Sequence, residues 1–203
     1  MEFAGAIGAV NGPAPGSLPQ VAFAGRSNVG KSSLINRFLG RTRSAIARVS
    51  ATPGKTQEIN FYEVRAEPAA GGEIRFFLVD LPGYGYARAP GAVRRNWRPM
   101  IEWYLRETRE LRGVVQLIDM RHEPTAEDVQ MVEYLAESGL PALFVLTKAD
   151  KIPVSKRAAH IRRIVDKLGL DEEQVVPFSS LSGEGRDELL DSVESLLVEG
   201  DSA

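Results

Sequence analysis

The sequence contains no cysteine and only two histidines, His122 and His160. Without a thiol the chain cannot form a disulfide, use a thiolate nucleophile or hold zinc through cysteine ligands. Two histidines far apart in sequence also argue against a histidine-rich metal site. These absences leave functions that depend on oxygen ligands, backbone amides and charged side chains.

The chain also lacks a strong net charge and long apolar runs. It has 25 Lys and Arg against 27 Asp and Glu, a net charge of −2, so contact with nucleic acid requires a local basic patch. Its longest apolar runs, such as 76–79 and 143–146, are too short to span a bilayer. The first basic residue is Arg26, so the apolar opening lacks the basic region of a signal peptide. The sequence predicts a cytoplasmic protein without direct membrane contact.

A length of 203 residues, with 43% hydrophobic and 26% charged residues, predicts one globular domain. Helical patterns alternate with short apolar strands, which predicts an α/β fold with a mostly parallel six-stranded sheet and helices on both faces. The predicted strands are Val21–Ala24, Glu58–Val64, Glu73–Val79, Val114–Ile118, Leu143–Leu146 and Val175–Phe178. The second and third form a hairpin across residues 67–72, which predicts one antiparallel edge strand.

The predicted boundaries are a flexible N-terminal arm over 1–19, a domain over 20–198 and a tail over 199–203. The pattern from Thr125 to Asp128 predicts a capping box at the start of one helix. A second helix is predicted to be capped by Ser155 and to end at Gly169.

A phosphate-binding loop follows the first predicted strand. Residues 25–32, GRSNVGKS, match the pattern G-x-x-x-x-G-K-[ST] and precede an apolar helix. Its glycines let successive amides face phosphate oxygens, while the lysine neutralises them and the serine hydroxyl binds Mg²⁺. The predicted contacts are Gly25, Arg26, Ser27, Asn28, Val29, Gly30, Lys31 and Ser32.

A second motif, Asp-Leu-Pro-Gly, follows the strand that ends at Val79. The carboxylate of Asp80 can hold Mg²⁺ through a water molecule, and the amide of Gly83 can bind a γ-phosphate. Parallel sheets place their ligands at this end of the strands, so the motif reinforces the phosphate loop. The predicted contacts here are Asp80, Leu81, Pro82 and Gly83.

The base contact comes from Thr-Lys-Ala-Asp after the strand that ends at Leu146. The carboxylate of Asp150 can accept both N1–H and the exocyclic amine of guanine, a pair of donors that adenine lacks. The stem of Lys148 is expected to pack over the base, and the loop after the last strand offers groups for the base O6. The predicted contacts are Thr147, Lys148, Ala149, Asp150, Phe178, Ser179 and Ser180.

Taken together, these motifs resemble the TRAFAC class of Ras-like P-loop GTPases, and most closely the bacterial EngB (YihA/YsxC) family. The resemblance rests on residues 25–36, TPGKTQ at 52–57 with Asn60-Phe61-Tyr62, DLPGYGYA at 80–87 and TKADKIP at 147–153. It implies a Ras-like GTPase domain that binds GTP, GDP and Mg²⁺. It further implies a role in assembly of the large ribosomal subunit and a link to cell division and septation.

By the same resemblance, Thr56 is a second protein ligand of Mg²⁺, beside Ser32 and the water-mediated Asp80. The further nucleotide contacts are Gly54, Lys55, Thr56, Gln57 and Glu58. Lys31, Thr56, Gly83 and Asn28 are the expected catalytic residues. Ser180-Leu181 departs from the Ala-Lys found in many GTPases.

Hydrolysis is expected to be slow. Ras-type sites use a glutamine after D-x-x-G to orient the attacking water, and this chain has Tyr84 there. His122 is better explained as a turn residue than as a base. Asn28 suggests K⁺, which such an asparagine binds in cation-dependent GTPases; a hydrogen bond within the loop is the other interpretation.

Arginines near the two phosphate-sensing loops are candidates for ribosomal RNA contact, together with Trp97. They are Arg41, Arg43, Arg48, Arg88, Arg94, Arg95 and Arg98. Trp103 and Tyr104 are expected in the core instead, and the basic run from Lys156 to Lys167 is expected to be a solvated helix face. No DNA contact is expected, and a monomer is the default.

Two other functions remain open. A P-loop kinase or ATPase is disfavoured by Asp150 and by the lack of a lid-like arginine-rich insertion. A nucleotide-gated binding module at the division site, with incidental hydrolysis, is the remaining alternative.

Overall fold

The computed structural model describes residues 2–40, 58–68, 71–84 and 91–199, with the backbone alone for 91–98 and 199. Within these ranges the strands are Glu2–Ile7 (β1), Gln20–Gly25 (β2), Ile59–Ala66 (β3), Ile74–Asp80 (β4), Leu111–Asp119 (β5), Ala142–Thr147 (β6) and Val175–Phe178 (β7). The α-helices there are Lys31–Phe38 (α1), Gly91–Glu107 (α2), Ala126–Ser138 (α3), Val154–Leu168 (α4) and Arg186–Glu199 (α5). The α/β prediction is therefore confirmed.

The strands form one sheet in the order β1-β3-β4-β2-β5-β6-β7. Strands β4, β2, β5, β6 and β7 are parallel, while β3 is antiparallel to both of its neighbours. The parallel strands end at the same edge of the sheet, and the predicted nucleotide motifs follow the ends of β2, β4, β6 and β7. This topology brings those motifs together.

The described sheet has seven strands, so the prediction of six is corrected. The additional strand is β1, which lies in the segment expected to be a flexible arm. It pairs with the outer edge of β3, from Glu2 opposite Glu63 to Ile7 opposite Ile59. The edge of a β-strand has backbone N–H and C=O groups without partners, and pairing with β1 gives those of β3 hydrogen-bond partners. The reversed strand β3 is consequently second from the edge.

The two faces of the sheet bury separate hydrophobic clusters. Along β2, Val21 and Phe23 join the cluster that packs against α1 and α5, while Ala22 and Ala24 face the cluster that contains residues of α2 and α3. This alternation is the period of two expected for a strand with both faces buried. Tyr104 is buried as predicted, and its hydroxyl donates to Gln20 Oε1 at 2.7 Å.

Helix ends follow the sequence signals at two of three predicted places. Thr125 and Asp128 form the predicted capping box, and Gly169 ends α4 with a left-handed φ of 66°. Ser155 does not cap α4, because the helix already begins at Val154, after Pro153. No helix within the described ranges is long and apolar enough to cross a membrane.

Candidate nucleotide site

The phosphate loop connects the end of β2 to the start of α1. Gly30 has a left-handed φ of 106° and immediately precedes the helix, which begins at Lys31. Glycine adopts this conformation without a Cβ clash. The turn therefore presents the helix N-terminus, with its positive dipole end and free amides, at the carboxyl edge of the sheet.

The Lys31 ammonium lies against the end of β4. Its Nζ donates to Asp80 Oδ1, and both side chains are about nine-tenths buried, with 11% and 9% of their surface exposed. Burial lowers the pKa of Lys31 from 10.5 to about 7. The adjacent Asp80 carboxylate opposes that shift, since an opposite charge favours the ammonium form. The loop lysine and the D-x-x-G aspartate thus converge on one point.

The oxygen donors at this point fit a hydrated Mg²⁺. Ser32 is the second residue of α1 and directly follows Lys31, whose side chain contacts the Asp80 carboxylate. A hydroxyl and a carboxylate are hard ligands, and Mg²⁺ uses few protein groups besides water and phosphate. Among the described residues, no group of three or more His, Cys, Asp or Glu could hold a metal.

The D-x-x-G turn touches the phosphate loop directly. The Ser27 amide donates to Tyr84 O at 2.9 Å, and the Ser27 hydroxyl donates to Gly83 O at 3.3 Å. A Cβ on Gly83 would lie 2.9 Å from Ser27 Oγ and 3.2 Å from Ser27 Cα. A larger residue at this position would have to displace Ser27, so glycine allows the close approach of the two motifs.

The side chain of Tyr84 is turned towards the body of the domain. Its hydroxyl donates to Asp128 Oδ1 at 3.2 Å and accepts a hydrogen bond from Gln116 Nε2. Burial, with the Asp128 carboxylate, raises the pKa of Tyr84 well above 10. The hydroxyl is therefore occupied by α3 and β5. The sequence did not predict this contact between the D-x-x-G turn and α3.

The motif after β6 braces the phosphate loop at two atoms. The Thr147 hydroxyl donates to Val29 O at 2.6 Å and lies 3.2 Å from Ile118 O. Lys148 Nζ donates to Asn28 O at 2.7 Å. Lys148 thus joins this motif to the phosphate loop.

Asp119, the last residue of β5, is a site residue that the sequence motifs do not predict. Its Oδ2 accepts from Lys148 Nζ at 2.7 Å, and its two carboxylate oxygens accept from the Arg121 guanidinium at 2.9 and 2.7 Å. Its position at the end of a parallel strand was the available signal, since Asp80 ends β4 in the same way. The neighbouring His122 is an exposed turn residue whose amide donates to Asp119 O, consistent with the predicted turn role.

Asp150 is oriented by the loop after β7. The Ser179 hydroxyl donates to Asp150 Oδ1 at 2.8 Å and accepts from the amides of Leu181 and Ser182. Burial acts to raise the pKa of Asp150, but the hydrogen bonds from Ser179 and Lys151 lower it below its usual value. Ser179 itself is fully buried. Its hydroxyl therefore positions the carboxylate, and Ser180 is the more accessible residue of the predicted pair.

Two arginines hold the same loop from outside. Arg37 of α1 donates to Ser182 O at 2.9 Å, and Arg157 of α4 pairs with Glu184. These contacts connect α1, which follows the phosphate loop, and α4, which follows Asp150, to the loop after β7. The structure thereby joins the phosphate end and the base end of the site.

Several predicted residues lie outside the described ranges. These are Gly54, Lys55, Thr56, Gln57, Arg41, Arg43, Arg48 and Arg88. Glu58 is described and is exposed, just before β3. Arg94, Arg95, Trp97 and Arg98 lie on α2, within the part described by backbone alone. Trp103 packs against the hydrophobic cluster of α2 and α3, as predicted.

Comparison with known proteins agrees with this arrangement. The family model described as "50S ribosome-binding GTPase" matches residues 20–148. A probable GTP-binding protein EngB of Gemmatimonas aurantiaca is 45% identical over 199 residues, covering 98% of this chain and 93% of the relative. The one of Pelotomaculum thermopropionicum is 49% identical over 179 residues, covering 88% and 85%.

Solved structures agree at the level of the fold. A crystal structure of a probable GTP-binding protein engB has a TM-score of 0.66 at 21% identity, covering 89% of this chain and 99% of that one. Era in complex with MgGDPNP and nucleotides of 16S ribosomal RNA has a TM-score of 0.68 at 23% identity, covering 87% and 56%.

The fold and the matching family model define the class, a Ras-like P-loop GTPase. Its relatives identify the family within this class, because their similarity spans nearly the whole chain. The protein belongs to the EngB family of GTP-binding proteins.

Proposed function

We propose that the protein is a GTP-hydrolysing switch that works in assembly of the large ribosomal subunit. The observation that carries the nucleotide part is the convergence of three motifs at one sheet edge. Lys31 meets Asp80 at the phosphate end, while Lys148 joins the base end to Asn28 of the phosphate loop. A guanine nucleotide spans these two ends.

The proposed role of each motif follows from its chemistry. The amides of 25–32 and the Lys31 ammonium bind the β- and γ-phosphates, and the Gly83 amide binds the γ-phosphate. Asp150 accepts two hydrogen bonds from guanine, with Lys148 along the base and the 178–180 loop at O6. Ser32, Thr56 and the water-mediated Asp80 are the proposed Mg²⁺ ligands; the metal neutralises charge on the phosphates.

The base assignment is tested by exchanging Asp150 for asparagine. The native protein should bind GTP and GDP and leave ATP unbound, because adenine leaves the carboxylate unpaired. Asp150→Asn replaces an acceptor with a donor, which suits the O2 carbonyl of xanthine. Fluorescence titration should therefore show a shift in preference from guanine to xanthine nucleotides. Native binding of ATP as tight as that of GTP contradicts the assignment.

Slow intrinsic hydrolysis is part of the proposal. The residue after Gly83 is Tyr84, whose hydroxyl is held by Gln116 and Asp128 and offers no carboxamide to orient water. A cation at Asn28 supplies positive charge near the phosphates instead. The exposed Asn28 side chain is accessible to such an ion.

Potassium dependence is tested with Asn28→Gly. Asn28 has a left-handed φ of 65°, which glycine keeps, and the backbone acceptor for Lys148 remains. GTP turnover by the native protein should be faster in KCl than in NaCl, and the variant should lose this difference. Equal turnover of the native protein in both salts contradicts the role of K⁺.

The ribosomal part of the proposal is supported by the family description and by the arginines that follow the D-x-x-G turn in the sequence. The matching family model is described as ribosome-binding, and Arg94, Arg95 and Arg98 lie on α2, beyond the D-x-x-G turn. Ribosomal RNA and proteins of the large subunit are the proposed partners, in the cytoplasm. The proposed need for normal division and septation follows from this role, because dividing cells depend on ribosome supply.

Sedimentation with ribosomal subunits distinguishes this role from its alternative. Co-migration with the large subunit in a non-hydrolysable GTP analogue, and its loss in GDP, is expected. An absence of association in both states, with GTP binding intact, favours a nucleotide-gated module at the division site.

A further inference from the structure

Asp119 lies at the end of β5, beside the base-binding motif. It is the last residue of β5 and pairs in register with Thr147, the last residue of the adjacent parallel strand β6. Lys148 follows directly. The carboxylate of Asp119 therefore emerges at the sheet edge next to the lysine that joins the base end of the site to the phosphate loop.

Lys148 depends on a small number of partners. Its backbone has a left-handed φ of 62°, a conformation that non-glycine residues adopt at a cost. Its Nζ donates to Asn28 O and to Asp119 Oδ2, both at 2.7 Å. Asp119 supplies the charged partner of this pair, which makes the stronger of the two kinds of hydrogen bond.

Arg121 fixes the Asp119 carboxylate in turn. Its guanidinium donates to both carboxylate oxygens, and its amide donates to Oδ1 at 3.1 Å. Burial acts to raise the pKa of Asp119, but these hydrogen bonds and the one from Lys148 lower it from 3.8 to about 2. The carboxylate is thus held in one orientation and remains charged at neutral pH.

We infer that Asp119 is a positioning residue that sets guanine-nucleotide affinity by holding Lys148 between the base and the phosphate loop, with Arg121 orienting the carboxylate. This inference rests on the proposed function. Lys148 contacts the end of the site that GDP and GTP share. Loss of Asp119 therefore weakens both nucleotides equally and leaves kcat at saturating GTP unchanged.

The test measures nucleotide affinity of Asp119→Asn with fluorescent GDP and a fluorescent GTP analogue. The variant keeps the shape of the side chain and removes its charge. We expect Kd to rise about tenfold for both nucleotides, since Lys148 loses its charged acceptor and a neutral amide oxygen makes a weaker hydrogen bond. In steady-state hydrolysis, KM should rise while kcat stays within about twofold.

A double-mutant cycle separates positioning from a general loss of structure. In a Lys148→Met background, Asp119→Asn should change Kd less than about twofold, because the group on which Asp119 acts is gone. The matched control is Glu63→Gln. Glu63 makes a comparable pair with Arg75, at 2.7 Å, on β3. This control should leave both Kd values unchanged.

Each outcome has a defined meaning. If the native protein binds neither GDP nor the GTP analogue, the proposed function fails. If it binds them and Asp119→Asn alters neither Kd, the inference is wrong. An equal loss in the Lys148→Met background also overturns it, because Asp119 would then act through another group.

A second variant covers the case in which Asp119→Asn does not fold. Arg121→Gln removes the guanidinium from a residue with an exposed side chain and leaves Asp119 in place. Its Kd should rise about threefold for both nucleotides, since the carboxylate loses only its orientation. Unchanged affinity in this folded variant contradicts the inference.

Discussion

Tyr84 shows how one side chain can connect the D-x-x-G turn to the body of the domain. Its backbone carbonyl accepts from the Ser27 amide, while its hydroxyl reaches Gln116 on β5 and Asp128 on α3. A shift of the turn at Gly83 would disturb both sets of contacts. Tyr84 therefore ties the state of the D-x-x-G motif to the start of α3.

Tyr84→Phe should lower the free energy of unfolding by about 1–2 kcal/mol, because Gln116 and Asp128 are buried and lose a partner. Urea unfolding measures this change. The matched control is Tyr134→Phe; the Tyr134 hydroxyl donates to Glu102 O at 3.1 Å in a half-buried setting. The control should lower the free energy of unfolding by less. If Tyr84→Phe is as stable as the native protein, the Tyr84 hydroxyl does not anchor the D-x-x-G turn.

Asp119 predicts a specific response to acid. Because its pKa is lower in the folded protein than in the unfolded chain, its stabilising contribution is present above about pH 4 and is lost as the pH falls towards 2. The difference in free energy of unfolding between the native protein and Asp119→Asn should be largest near pH 6 and shrink below pH 4. Urea unfolding at several pH values measures it; a difference that stays constant down to pH 3 rules out this linkage.

At the scale of secondary structure, the sequence predicted most elements for a simple physical reason. Strands β2 to β7 are compact apolar runs separated by turn or helix signals, and all six were found with small shifts of their ends. Strand β1 was missed because Ala4, Gly5 and Ala6 have little preference for strands. It forms where β3 offers an open edge, which is a property of the assembled sheet.

The same distinction applies to the candidate site. The phosphate loop and the motifs after β4 and β6 were predicted because each matches a short residue pattern that directly follows a predicted strand. Whether Asp119 would reach Lys148 depends on the register between β5 and β6, which local patterns do not specify. The contact of Tyr84 with Asp128 depends on side-chain direction and was likewise beyond the sequence pattern.

The start of α3 offers a test of element stability. Thr125 Oγ1 accepts from the Asp128 amide, and Asp128 Oδ2 accepts from the Thr125 amide at 2.9 Å. Thr125→Ala should lower the free energy of unfolding by about 1 kcal/mol through loss of this cap. Ser155→Ala is the matched control, because Ser155 is exposed within the first turn of α4 and makes no capping bond. If the two variants lower the free energy of urea unfolding equally, Thr125 does not stabilise α3 as a cap.

For the whole molecule, the nucleotide site joins most of the parallel sheet. The loop after β2 contacts the turn after β4 and the motif after β6, and Asp150 contacts the loop after β7. A ligand that bridges the phosphate and base ends therefore stabilises the packing of these strands and of the helices that follow them. Binding should be visible as a change in global stability.

GDP with Mg²⁺ should raise the midpoint of thermal unfolding. At 100 times Kd, a ligand that binds only the folded state adds about 2.7 kcal/mol. For a domain of this size, that corresponds to a rise of about 5–10 °C. ADP should give no rise, because Asp150 would be left without its two donors. Differential scanning calorimetry over a range of nucleotide concentrations measures both. The unfolding midpoint of Asp150→Asn should rise with XDP and rise much less with GDP. Equal rises with ADP and GDP in the native protein would show that the base end of the site does not distinguish adenine from guanine.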